Sequence, residues 1–125
     1  LHRADLTIVT YGLGVQWAEE IAAENAPEHS IEIIDLRTLL PWDEACVMES
    51  VRKTNRALGF HEDTMTGGIG AEIAAKIQSE CWHDLDAPVA RVAGLDTAFP
   101  FAGNLETQFF ANDRLADAID SILKN

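Results

Sequence analysis

Four times along this chain, a short run of apolar and β-branched residues gives way to apolar residues spaced three and four apart. The first pattern is that of a strand and the second that of one helix face, so strand and helix alternate from end to end. The strands are read from Leu6 to Tyr11, Ile31 to Leu36, Arg56 to Glu62 and Val89 to Ala93. Val15, Ala18, Ile21 and Ala22 mark the first helix face, which Pro27 closes because proline cannot continue a helix. Asp43 is placed to cap the second helix, with Trp42 packing on Val47 as a hydrophobic staple. Ile69, Ile73 and Ile77 stack on the third helix, and Leu115, Ile119, Ile122 and Leu123 line the fourth, behind Asn112 or Asp113 as cap. Right-handed crossovers then dictate an α/β fold, a three-layer α/β/α sandwich around a mainly parallel sheet. The expected strand order is 2-1-3-4, with a switch point between strands 1 and 3. Ligands or partners of such a sheet meet the loops at the carboxyl ends of its strands. Those loops are Gly12–Gly14, Arg37–Asp43, His61–Gly70 and Gly94–Asn104.

At 125 residues the chain is read as one domain, 1–125, and its opening Leu1-His2-Arg3 suggests a piece of something longer. Its 9 Lys and Arg against 21 Asp and Glu give a net charge of −12. So acidic a chain argues against a nucleic-acid or anionic-membrane partner, both of which need a basic face. No apolar run approaches the ~18 residues of a membrane span. Cys46 and Cys81 lie in helical stretches without C-x-x-C spacing, and both are expected to be small buried thiols.

Several groups invite chemistry. Gly12-x-Gly14 follows a strand and opens a helix, with Asp35 ending the next strand, as in a dinucleotide fingerprint. Trp17 stands where the third glycine belongs, so a tight turn is the better reading. His61-Glu62-Asp63 ends the third strand; His61 and Glu62 are weak catalytic candidates, and alternating side chains keep the trio from converging on one metal without a turn. Gly67-Gly68-Ile69-Gly70 opens the third helix without the Gly-Lys-Ser/Thr of a phosphate loop. Those glycines are expected to let another backbone approach, so that arginine at position 68 would weaken assembly and leave the fold intact. Aromatic Phe99 and Phe101 flank Pro100 in the longest loop, the composition of a segment buried by a partner. Trp42, Gly67, Gly68, Gly70, Phe99 and Phe101 are thus the candidate interface. No nucleophile–base pair is legible.

The ordered motifs DLTIVTYG, IDLRTLLPWD, HEDTMTGGIGAEIAAKI, DLDAPVARVAGLDTAFPF and NDRLADAIDSIL together resemble the carboxyl-terminal, transketolase-type domain of the beta subunit of thiamine-diphosphate-dependent 2-oxo acid dehydrogenases. LLPWD and HED resemble branched-chain or general 2-oxo acid members more than transketolase itself. The resemblance implies an extra antiparallel edge strand, expected to be truncated here, and a parent enzyme that decarboxylates a 2-oxo acid and passes the acyl group to a lipoyl arm. It implies thiamine diphosphate and Mg2+ held by other domains and not by this one. The implied partners are an upstream pyrimidine-binding domain, an alpha subunit or domain, a second beta copy and the acyltransferase component. The implied role is an assembly domain, in the bacterial cytoplasm or the mitochondrial matrix. Arg37 and Arg91 are expected to pair with acidic neighbours. Two alternatives stand beside this reading: the same domain of transketolase or deoxyxylulose-phosphate synthase, and a free-standing nucleotide-binding module using Gly12, Gly14 and Asp35.

Overall fold

The computed structural model describes residues 4–25, 28–95 and 112–124. Its elements run β1 (Leu6–Thr10), α1 (Leu13–Asn25), β2 (Ile31–Asp35), α2 (Glu44–Thr54), β3 (Ala57–Thr64), α3 (Ile69–Cys81), a 3-10 turn (Trp82–Asp84), β4 (Ala90–Gly94) and α4 (Asn112–Leu123). The four strands form a sheet of order β2-β1-β3-β4. Every pairing is parallel, with Leu6 opposite Ile31 and Thr7 opposite Ala57 setting the central registers. The expected order and its switch point between β1 and β3 are both observed.

Both faces of the sheet are covered, and side-chain alternation along the strands divides the core in two. Leu6, Ile8, Leu58, Phe60 and Val92 point to one side and pack with Ala18 of α1 and Leu115, Ile119 and Ile122 of α4. On the other side Val9, Ile34 and Ala57 meet Val47 and Val51 of α2 and Ile73, Ile77 and Cys81 of α3. All five residues of β1 are buried, as a strand with neighbours on both edges and helices on both faces requires. The buried Thr7 hydroxyl lies 2.7 Å from both Ser50 and Thr54, and Thr54 donates onward to the Arg56 carbonyl, so these core hydroxyls are mutually satisfied.

Local chemistry sets the helix ends. The Asp43 carboxylate accepts from the Cys46 amide at 3.1 Å, and Trp42 joins Val47 in the same core cluster, as the staple reading expects. Asn55 ends α2 in the left-handed region, at φ 65°, and its side chain donates to the Asp84 carbonyl at 2.7 Å. Asp43→Ala is expected to lower stability by about 1 kcal/mol, read from the midpoint of urea unfolding, since it orphans one helix N–H.

Two expectations change. Cys81 is buried, but Cys46 is exposed. The Val47–Val51 pair sets the buried face of α2, and Cys46 is rotated about 100° from it. The third strand also runs further than its apolar content suggests, to Thr64, because a register shift lets pairing resume there. Among the described residues, no helix is long and apolar enough to cross a membrane.

Candidate functional site

The candidate loops after β1, β2 and β3 lie at the carboxyl edge of the sheet, and β3 supplies its central feature; the fourth lies largely outside the described residues. Phe60 pairs with Val92 and Thr64 with Gly94, so three residues of β3 oppose one of β4. This bulge holds His61, Glu62 and Asp63, and it aims the His61 ring at α3 while Glu62 is half-buried and Asp63 exposed. His61 is only 3% exposed. Its Nδ1 lies 3.0 Å from the Asp63 carbonyl, which can only accept, so Nδ1 carries the hydrogen and donates. Its ring stacks near Tyr11, with centroids 6.1 Å apart. Burial pushes the His61 imidazole below the ordinary histidine range. Burial, followed by the Asp63 and Glu62 carboxylates, pushes the Tyr11 phenol up. The imidazole is neutral and the phenol protonated at neutral pH.

The glycine turn has a tenant from its own chain. A β-carbon at Gly68 would lie 2.6 Å from His61 Cε1 and 2.5 Å from the Thr64 carbonyl oxygen; one at Gly70 would lie 2.7 Å from His61 Nε2. The imidazole occupies the space that a side chain at 68 or 70 would need. The expectation that arginine at position 68 would spare the fold is therefore corrected: it collides with a backbone carbonyl and a buried ring. Gly67 differs, with φ 78° and open space around it. Trp42 is buried at 9% exposure in the α2 core, beside its own helix. Phe99 and Phe101 lie outside the described residues.

The dinucleotide fingerprint dissolves for a similar reason. Gly12 takes φ 58°, the tight turn expected, but Gly14 is buried, and a β-carbon there would collide with the Thr10 hydroxyl and meet the Phe60 ring at 3.5 Å. Gly14 thus provides the close helix–strand approach. Trp17 packs on Phe60 with ring centroids 5.9 Å apart. Asp35 pairs with Arg37 at 3.7 Å, as expected, whereas Arg91 donates to the Met65 carbonyl at 3.4 Å. Sequence reasoning missed Tyr11 and Thr10, which carried no signal beyond their place at the end of a strand.

A cavity of about 390 Å³ opens at the end of β2, lined among others by Asp35, Arg37, Trp42, Asp43 and Cys46. The Cys46 thiol is pushed up by local desolvation and by Asp43, Glu49 and Glu32, so it stays protonated and is a poor nucleophile. Among the described residues, no three of His, Cys, Asp and Glu converge as a metal-binding set. Among the described residues of this edge, the donor set does not fit a diphosphate–magnesium group. Its histidine is enclosed and committed to a carbonyl, and no third ligand joins the neighbouring Glu62 and Asp63 among the described residues.

The fold and this edge define a parallel, doubly wound α/β/α domain whose carboxyl-edge residues pack on one another. Residues 2–114 match the family described as "Transketolase, C-terminal domain". The chain belongs to that family. It is 50% identical over 98 residues to the 2-oxoisovalerate dehydrogenase subunit beta 2, mitochondrial, of Arabidopsis thaliana, covering 78% of this chain and 27% of that protein. Identity is 38% over 125 residues to the pyruvate dehydrogenase E1 component subunit beta of Rhizobium meliloti, covering 98% and 27%. It is 41% over 117 residues to the 2-oxoisovalerate dehydrogenase subunit beta of Bacillus subtilis, covering 91% and 36%. The chain thus spans between about a quarter and a third of these relatives' length. A solved structure titled "Split gene transketolase, inactive beta4 tetramer" matches with a TM-score of 0.80 at 25% identity, covering 98% of this chain and 39% of that one.

Proposed function

We propose that this chain is the carboxyl-terminal domain of the beta component of a thiamine-diphosphate-dependent 2-oxo acid dehydrogenase, and that it acts by assembly. The observation that carries the reading is identity of 38–50% to proteins described as beta subunits of such dehydrogenases. In the parent enzyme, thiamine diphosphate with Mg2+ supplies the decarboxylating chemistry from other domains. This chain braces the upstream pyrimidine-binding domain, an alpha subunit and a second beta copy, and it docks the acyltransferase component. Its charge of −12 suits a basic docking partner, because complementary charge raises the rate and selectivity of association. The compartment is the bacterial cytoplasm or the mitochondrial matrix. Identity to the transketolase structure is lower, at 25%, which favours the dehydrogenase reading over the transketolase one. Burial of Gly14 against Thr10 and Phe60 counts against the nucleotide module.

Two measurements test this. Calorimetric titration of the chain with thiamine diphosphate and Mg2+ is expected to give no saturable heat. Saturable binding would overturn the placement of the cofactor elsewhere. Sedimentation of the chain mixed with a beta subunit lacking this domain is expected to show a complex, weakened in a Phe99→Ala, Phe101→Ala variant. Absence of any complex would remove the assembly role.

A further inference from the structure

We infer that His61 is a pH-sensitive latch on the β3–α3 turn, closed while its imidazole is neutral and opened when Nε2 takes up a proton. The inference concerns the fold of this chain alone, so its failure would leave the assembly reading untouched.

Three geometric facts lead there. The ring is buried in a bulge and fills the space in front of Gly68 and Gly70. Because Nδ1 already donates to the Asp63 carbonyl, an incoming proton can go only to Nε2. That atom lies 2.8 Å and 2.7 Å from where β-carbons at Gly68 and Gly70 would stand, against the first turn of α3. The amino end of a 13-residue helix carries partial positive charge, and Gly68 caps it with no side chain. A proton on Nε2 therefore sets a full positive charge against a positive helix end, away from water.

The surrounding charges offset this only in part. Asp63 and Glu62, on the same strand, are acidic, and Glu72 lies in the first turn of α3. Tyr11 stands across from the ring at the end of β1 and is uncharged at neutral pH. Arg91 of β4 opposes a charged imidazole. Burial is the largest influence; the Asp63 carbonyl and carboxylate pull the other way, and the net effect is to hold the ring's affinity for protons down. The sign follows directly. A folded histidine that binds protons less readily than the unfolded one leaves stability complete above the ordinary pKa of about 6.5 and erodes it as pH falls below that value. The local cost falls on the turn the ring closes, from Thr64 to Gly68.

Amide hydrogen exchange, corrected for intrinsic rates, reads this in the whole chain between neutral and mildly acidic pH. Amides of 64–71 are expected to lose protection by up to about tenfold per pH unit, the limit for one proton, while those of β1 hold theirs. In His61→Gln the pH dependence of those amides should vanish. Should that variant not fold, NMR titration of the His61 ring protons in the native chain decides the matter. A midpoint at or above the ordinary histidine value, or unchanged pH dependence in a folded His61→Gln, would overturn the latch.

Discussion

Phe60→Ala is expected to lower the stability of this domain by about 3–5 kcal/mol, the range for removing a fully buried aromatic. Phe60 has no exposed surface and sits on β3, one of the two inner strands. Its ring packs against α1, with the Trp17 indole at 5.9 Å and, one turn earlier, Gly14, which brings the helix down onto the sheet. Neither wall can collapse into the space it leaves. One wall is the sheet, which its paired strands hold fixed, and the other is α1, which the close approach at Gly14 already brings to its limit. Urea unfolding followed by circular dichroism would read the loss as a shift in midpoint at constant slope. A loss below about 1 kcal/mol would mean that the α1 layer relaxes freely, contrary to close packing there.

The second large effect is a contrast between two neighbouring glycines. Gly70→Ala is expected to cost about 1–3 kcal/mol through overpacking against the His61 ring. The same substitution in a His61→Ala background should cost close to nothing, because the ring is the atom group in the way. Gly68→Ala should behave differently. Its β-carbon also meets the Thr64 carbonyl at 2.5 Å, so truncating His61 restores only part of the loss. Comparing the two double-mutant cycles isolates the pairwise term, since residues in contact couple by about 0.5–3 kcal/mol. Equal rescue at both positions would show that the backbone carbonyl yields and that the ring alone crowds the turn.

These contacts mark the limit of what the residues disclosed on their own. The Asp43 cap and the Trp42 staple were legible because each depends on atoms a few residues apart. The three stacked isoleucines of α3 were legible too, although Ile69 is only half-buried where Ile73 and Ile77 are enclosed. The bulge in β3 was not, since it arises from how β3 and β4 share register rather than from any local signal. The glycine turn is the same case: its composition announces that something must come close, without saying that the neighbours include an imidazole and a carbonyl of the preceding strand.

Alternating periods of two and about 3.6, with local caps and turns, were enough to determine the order of elements and a parallel sheet, because crossovers between parallel strands have one favoured hand; the strand order 2-1-3-4 was an expectation that the packed sheet bears out. What His61 touches, why Gly14, Gly68 and Gly70 lack side chains, and which cysteine meets solvent were decided only in three dimensions. Those properties depend on distances between residues far apart or on opposite elements, and such distances exist only once the layers have packed.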